Sequence, residues 1–209
     1  MATKKQDEAK KPAPATKEKL VAAALELFSN KGYSATSVDE IAESIGIKGP
    51  NLYKYFKGKE DLLKSLAEMS DERYLTNMGM AKTSPIKIKS AQELKAYAIG
   101  QFQFTVSNEK VTKMRKMCTI EQFRSEDFKK QTTDHQFLIL ERNFTEIFKD
   151  LIAQGLVKEA DPEIIAFEFF SPVSLMVQWC DREPEKKEEI FTWVERHIDF
   201  FIETYFIVK

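Results

Sequence analysis

Four of the seven glycines of this 209-residue chain, Gly32, Gly46, Gly49 and Gly58, fall between residues 32 and 58. Glycine turns the backbone where other side chains would be strained, so this density forces several sharp turns between short elements. The residues between them carry a helical period. Leu20, Ala24, Leu27 and Phe28 share one face of a 3.6-residue repeat. They predict a first helix from Thr16, as its N-cap, to about Lys31, ended by Gly32 in a left-handed conformation. Ser37-Val38-Asp39-Glu40 has the pattern of a capping box. It opens a second helix with Val38, Ile41, Ala42 and Ile45 on its apolar face and Gly46 at its end. Gly49-Pro50 opens a third helix, over 49–56, with Pro50 in the first turn and Leu52 and Phe56 pointing inward. Gly58 precedes a fourth, whose first turn carries Glu60 and Asp61, favourable at a positive dipole end.

Beyond this cluster glycine is rare and longer helices are expected. Ser90-Ala91-Gln92-Glu93 is a second capping box, starting a helix to about Ser107, followed by a helical segment over 109–122. A long helix runs from Ser125 to about Gln154 and stops at Gly155. Asp161-Pro162 starts another, in which Pro172 predicts a kink. Pro184 heads the last, to about Ile207. No alternating strand pattern is present, so the fold class is all-α. Three regions are expected: a disordered Lys-, Ala- and Pro-rich tail over 1–15, a compact unit over 16–60, and a larger helical body over 61–209.

Several function classes find no support. No run of about 18 apolar residues exists for a membrane span, and the first 19 residues lack the apolar middle of a secretory signal. Cys118 and Cys180 fit no metal-ligand spacing and no disulfide framework, which suits a reducing, cytoplasmic setting. No Gly-rich phosphate loop, HExxH or GxSxG motif occurs. An enzyme is not expected, nor a metal or cofactor.

Short helices with a glycine turn between the second and third describe a helix-turn-helix. The second member of such a pair enters the DNA major groove. The stretch ALELFSNKGYSATSVDEIAESIGIKGPNLYKYFKGKEDLL, residues 24–63, resembles the N-terminal DNA-binding domain of the TetR/AcrR family of transcriptional regulators. The resemblance rests on A-x-x-L-F near the first helix end, Gly32-Tyr33, Thr36, Ile41-Ala42, Gly46, Leu52-Tyr53, Phe56, Lys59 and Leu62. It implies a homodimeric regulator, most simply a repressor that releases a palindromic double-stranded operator when a small apolar or amphipathic effector binds the body. It also implies that Lys59 clamps a phosphate. Where many members carry Ser-Lys-Gly-Thr, this chain has Lys48-Gly49-Pro50-Asn51. The base-reading side chains therefore differ, and no operator sequence carries over.

The residue types suit that role on their own chemistry. Phosphate contacts position a protein on DNA and base contacts specify. Thr36 and Ser37 lie at a helix N-terminus, where hydroxyls and free amides suit a phosphate. Lys48 and Lys54 bring charge, and Gly49 with Pro50 lets the backbone approach the groove. Asn51 can donate to and accept from an adenine edge, and Tyr53 and Tyr55 carry reachable hydroxyls. The overall charge of −1 conceals an asymmetry: residues 1–66 hold 12 lysines against 9 acids, whereas residues 67–209 hold 20 basic against 24 acidic residues. The basic excess lies where phosphate binding requires it.

Fourteen of the 16 phenylalanines lie beyond residue 66. Expected effector-pocket residues are Phe102, Phe104, Met114, Met117, Phe123, His135, Phe137, Phe144, Phe167, Phe170, Met176 and Trp179, an aromatic lining with few polar groups. The last two helices are expected to form an isologous four-helix dimer bundle. Its contacts would come from Phe167, Ser171, Ser174 and Leu175 on one helix and Phe191, Val194, Ile198, Phe201, Ile202 and Tyr205 on the other. Two alternatives stay open: a helical enzyme acting on an apolar metabolite, and an adaptor that binds a protein partner through its C-terminal helices.

Overall fold

Proline has no amide hydrogen to leave unsatisfied, and its fixed φ suits a first helical turn. The first helix accordingly starts two residues before Thr16: α1 spans Pro14–Lys31. The computed structural model describes residues 14–66 and 86–207. The tail expected over 1–15 therefore lies outside the described residues, except for Pro14 and Ala15, which are helical. Helices α2 (Val38–Ser44) and α3 (Gly49–Leu52) follow, then α4 from residue 59 to residue 66. The body consists of α5 (Ala91–Ser107), α6 (Glu109–Glu121), α7 (Glu126–Thr133), α8 (Ile139–Ala153), α9 (Pro162–Arg182) and α10 (Lys187–Tyr205). Among the described residues there is no strand. A single antiparallel bridge pairs Val157 with Phe206.

Local chemistry explains most helix ends. Around α2 the capping box is complete: the Glu40 amide donates to Ser37 Oγ at 3.2 Å and the Ser37 amide donates to Glu40 Oε2 at 2.8 Å. At α5 only half of the box forms. Ser90 Oγ accepts from the Glu93 amide, but Glu93 Oε2 accepts from the Lys89 amide, one residue before the cap. Asn108 caps α6 through the Val111 amide, and Asp161 caps α9 through the Glu163 amide. The helix expected unbroken from Ser125 to Gln154 is interrupted by a π-helical turn, Asp134–Leu138, between α7 and α8. The last helix stops at Tyr205. There Lys158 N–H donates to Tyr205 O and Ile207 N–H donates to Leu156 O, both at 2.9 Å, pulling the chain into the bridge beside Val157.

Two apolar clusters form. The head cluster gathers Leu20, Ala24 and Phe28 of α1, Ile41 and Ala42 of α2, Leu52 of α3, Phe56, and Leu62 and Leu66 of α4. Met117 of α6 and Phe128 of α7 complete it from the body. The head's packing thus runs past residue 60 and takes in side chains far along the chain. The body cluster is built around Phe102, Phe144, Phe148, Phe169, Phe170 and Phe201, with Leu94, Leu151, Ile190, Val194 and Ile198. A half-buried ion pair ties α6 to α9: Arg115 Nε donates to Asp181 Oδ2 at 2.6 Å and Arg115 Nη2 to Oδ1 at 2.7 Å. Arg115 Nη1 also donates to the Thr105 carbonyl. Two parallel charge-assisted bonds fix orientation as well as distance.

Candidate nucleic-acid interface and sensor groove

The groove-facing candidate is built on a shorter helix than the spacing predicts. Its regular part is Gly49–Leu52, with Lys48 at the N-cap in an extended conformation and Pro50 in the first turn. Beyond Leu52 the chain tightens: the Lys54 amide donates to Asn51 O and the Tyr55 amide to Leu52 O at 2.8 Å, three residues back. The Lys57 amide then turns to Asp61 Oδ2 at 3.0 Å, starting α4. Leu52 and Phe56 are buried. Lys48, Pro50, Tyr53 and Lys54 are exposed, Tyr53 at 60% of its surface. Asn51 is half-buried, and Tyr55 is half-buried against the head core. The outer side of this turn is therefore cationic and aromatic, and its inner side is apolar.

Three of the expected DNA contacts are committed to the fold. Thr36 is 2% exposed, and its hydroxyl donates to Gly32 O at 2.8 Å. It closes the turn between α1 and α2 and offers nothing to a phosphate. Gly49 is buried against α2, where a Cβ would run into the Asp39 carboxylate. Its missing side chain leaves room for that carboxylate. The Lys59 ammonium donates to Tyr33 O at 2.7 Å, Thr36 O at 2.8 Å and, at 3.4 Å, Ser34 O, with the Tyr33 ring 4.4 Å away. An ammonium has three protons to give, and three carbonyls face them here. Burial lowers the Lys59 pKa, and Glu121 partly restores it. Lys59 is thus a tie for the turn, unlike the outward clamp that the resemblance implied. Ser37 stays exposed, but its hydroxyl is engaged with Glu40 in the capping box. Lys31, then the Ser37 amide and hydroxyl, hold the exposed Glu40 carboxyl at about 2.

The expected effector residues separate into four groups. Phe137, Phe167 and Phe170 line a groove of about 450 Å³ between the π turn and α9, with Thr132, Thr133, Gln136, Ser171, Ser174, Leu175 and Gln178. The Phe137 ring meets those of Phe167 and Phe170 edge-on, with centroids 6.0 and 5.8 Å apart. A π turn adds a residue to the helix and re-aims its side chains, and Phe137 lies within it. Phe102 and Phe144 belong to the body core, with Met176 and Trp179 packed on it; Trp179 Nε1 donates to Glu183. Met114 and Met117 serve the head cluster, as does the half-buried Cys118. Burial pushes the Cys118 thiol up to about 11, so it stays protonated at neutral pH. Phe123 is 92% exposed, so it lines no cavity, and Phe104 and His135 are half-buried away from the groove lining.

The side of α10 expected to pair two copies is turned largely into the body's own core. Val194, Ile198 and Phe201 are at most 3% exposed, inside the body core. Phe191, Ile202 and Tyr205 are half-buried beside them. The large side chains that α10 turns outward are Trp193 and Phe200, 44% and 68% exposed. On α9, Phe167 and Leu175 are exposed, Ser171 and Ser174 are half-buried, and Ile164 is exposed as well. Trp193 and Phe200 lie seven residues apart, a helical repeat visible in the sequence. A helix with apolar residues on two faces does not say which face is inside.

A helix-turn-helix head sharing its core with an all-helical body defines the class. Residues 20–66 match the family model described as bacterial regulatory proteins, tetR family. The chain is 40% identical over 78 residues to the "Probable HTH-type transcriptional regulator YttP" of Bacillus subtilis, covering 37% of either chain. It is 38% identical over 52 residues to the biofilm operon icaADBC HTH-type negative transcriptional regulator IcaR of Staphylococcus epidermidis, covering 25% of this chain and 28% of IcaR. These matches thus span well under two thirds of either relative. The likeness of the whole chain is to solved structures. SmeT, repressor of the multidrug efflux pump SmeDEF of Stenotrophomonas maltophilia, superimposes in its triclosan complex with a TM-score of 0.66. That superposition covers 92% of each chain at 21% identity. The N-terminal head, residues 20–66, is thus similar to the DNA-binding head of the tetR family of bacterial regulatory proteins, and the fold of the whole chain is that of the solved regulators. Among the described residues, no helix is long and apolar enough to cross a membrane.

Proposed function

We propose that this chain is a homodimeric transcriptional regulator, most simply a repressor, that binds a palindromic double-stranded operator and releases it when an effector binds the body. One observation carries the reading. The outer side of the turn around α3 exposes Lys48, Pro50, Tyr53 and Lys54, while Leu52 and Phe56 anchor the inner side. Lysines supply the phosphate attraction, and Asn51 with Tyr53 supplies donors and acceptors for base edges. Of the ten residues expected to touch DNA, Lys48, Pro50, Asn51, Tyr53 and Lys54 carry the contact, with Ser37 and Tyr55 at its margins. IcaR and SmeT, by their names a negative regulator and a repressor, support the direction of control.

Two-fold pairing of the outward rows, Ile164, Phe167 and Leu175 on α9 with Trp193 and Phe200 on α10, would bury the large apolar side chains these helices expose. Such a dimer sets two heads about 34–36 Å apart, as successive major grooves require. The groove beside Phe137 suits an aromatic or amphipathic effector, and one that prefers a differently spaced dimer lowers DNA affinity by shifting populations. The test is fluorescence anisotropy with a duplex selected from a random pool. Tyr53→Ala should weaken every duplex, and Asn51→Ala should alter base preference. Phe200→Ser with Trp193→Ser should shift the native mass toward monomer. A stable dimer that selects no duplex at moderate salt defeats the proposal.

A further inference from the structure

Among the described residues, Glu121 is the one charged residue that is fully enclosed, at 0% exposure. It lies at the last position of α6, where the helix dipole is negative and a carboxylate is disfavoured. A buried carboxylate without partners is also costly by itself. Its partners lie 87 residues away in the head: the Ser34 amide donates to Oε1 at 3.0 Å and the Ser34 hydroxyl to Oε2 at 2.6 Å. Arg124, largely exposed, stands 3.7 Å from Oε1. The head makes room for this carboxylate. Gly32 has φ of +90°, and a Cβ there would meet Glu121 Oε1 and stand 2.8 Å from Ile120 Cγ2.

The turn that Glu121 grips leads directly into the helix-turn-helix. Thr36 binds back to Gly32, and Lys59 of α4 binds the Tyr33 and Thr36 carbonyls. The Tyr33 ring is flanked by Phe28 of α1 and Phe128 of α7, with centroids 5.2 and 5.8 Å away. The ends of α1, α2 and α4 therefore meet in one polar knot. Helix α6 itself is fixed to α9 by the Arg115–Asp181 pair.

We infer that Glu121 is a positioning residue: its carboxylate locks the Gly32–Ser34 turn to α6 and so fixes the angle at which the DNA-reading head leaves the body. This rests on the proposed DNA-binding reading for its consequence, but the lock itself is measurable without DNA. Glu121→Leu fills similar space and removes both acceptors, whereas Glu121→Gln keeps one acceptor for the Ser34 amide.

Hydrogen exchange on the full chain reads the lock at the Ser34 amide. In Glu121→Leu that amide should exchange at least about tenfold faster, as loss of a bond to a charged acceptor implies. Glu121→Gln should fall between it and the parent, with helical circular dichroism unchanged in each. An unaltered Ser34 amide in both variants overturns the inference. If Leu fails to fold, the Gln variant alone decides in the same way. The second arm uses duplexes selected by the parent and re-made with half-site spacings one and two base pairs longer or shorter. Glu121→Leu should lose about tenfold of the parent's discrimination between spacings and keep its base preference within each half-site. Retained spacing discrimination, despite a freed Ser34 amide, overturns the positioning role. If the parent selects no duplex, the DNA-binding reading is what fails, and the exchange result still decides the lock.

Discussion

The two cores differ in how they are completed. The body core closes on itself with interlocking rings: Phe148 lies 5.4 Å from Phe169 and 5.4 Å from Phe201, and Phe169 lies 4.8 Å from Phe201. It has apolar side chains to spare on its surface, including Leu175 and Phe200. The head core is mostly aliphatic, drawn from short helices, and is finished only by Met117 and Phe128 from the body. Helices α2 and α3, of seven and four residues, bury too little by themselves to be stable. The head therefore depends on the body for packing as well as for the Glu121 contact, through α6 and α7 among the described residues.

The largest expected effect tests the self-sufficiency of the body. Phe148 is fully buried at the centre of the ring cluster. Phe148→Ala should cost about 3–5 kcal/mol and be seen as a lower denaturant midpoint for the whole chain. If only the head loosened while the body held, the division of labour between the cores would be reversed. Next in size is Met117→Ala, which removes a fully buried side chain of α6 from the head cluster. It should cost about 2–5 kcal/mol. Hydrogen exchange should rise first in α1, α2 and α4, ahead of α8 and α10. Equal loss of protection across head and body would mean one indivisible core.

Much of the head was legible because its signals are local. The Ser37–Glu40 capping box, Gly32 and Pro50 each act within a few residues, and each appears where its chemistry requires. What spacing did not show was where side chains went. Thr36, Gly49 and Lys59 fit a DNA-binding pattern, yet their partners are Gly32 O, Asp39 and three carbonyls of the turn. These partners lie from 4 to 26 residues away, and periodicity shows none of them. In the body, α10 is apolar on two sides. Val194, Ile198 and Phe201 face in and Trp193 and Phe200 face out, and only packing on α5 and α9 decides between them. Met114 and Met117 carried no mark that they belong to the head, because their neighbours come from the other end of the chain. Glu121 had no signal either. An acid at a helix C-terminus is disfavoured locally and makes sense only opposite Ser34.

A smaller effect separates structure from recognition within the head. Thr36→Val keeps the shape of a buried side chain and removes the bond to Gly32 O. It should lower stability by about 1 kcal/mol and leave affinity for a selected duplex within about twofold once the protein is folded, since an enclosed hydroxyl contributes no phosphate contact. Tyr53→Ala should do the opposite, losing affinity at nearly constant melting temperature, because the residue is already 60% exposed. If the two variants exchanged behaviours, the placement of the DNA-facing side would be inverted.

The smallest effect is a pH dependence at the joint between the two cores. Burial pushes the Glu121 carboxyl up, but the Ser34 hydroxyl and amide, with Arg124 and Lys59, more than reverse this, and it is held below its ordinary value. The folded protein thus binds this proton less readily than the unfolded chain. The stabilisation is fully present above the unfolded value, about 4.3, and is lost as pH falls through the lower folded value. Glu26, Glu40 and Glu183 are depressed as well and contribute to the same acid limb. The difference between the parent and Glu121→Gln isolates the joint. Melting temperatures measured from pH 7 down to pH 3 should converge as pH drops, because protonated Glu121 resembles the amide that replaces it. Parallel curves over that range would show that the Glu121 charge adds nothing to this contact, which would then rest on its neutral hydrogen bonds to Ser34.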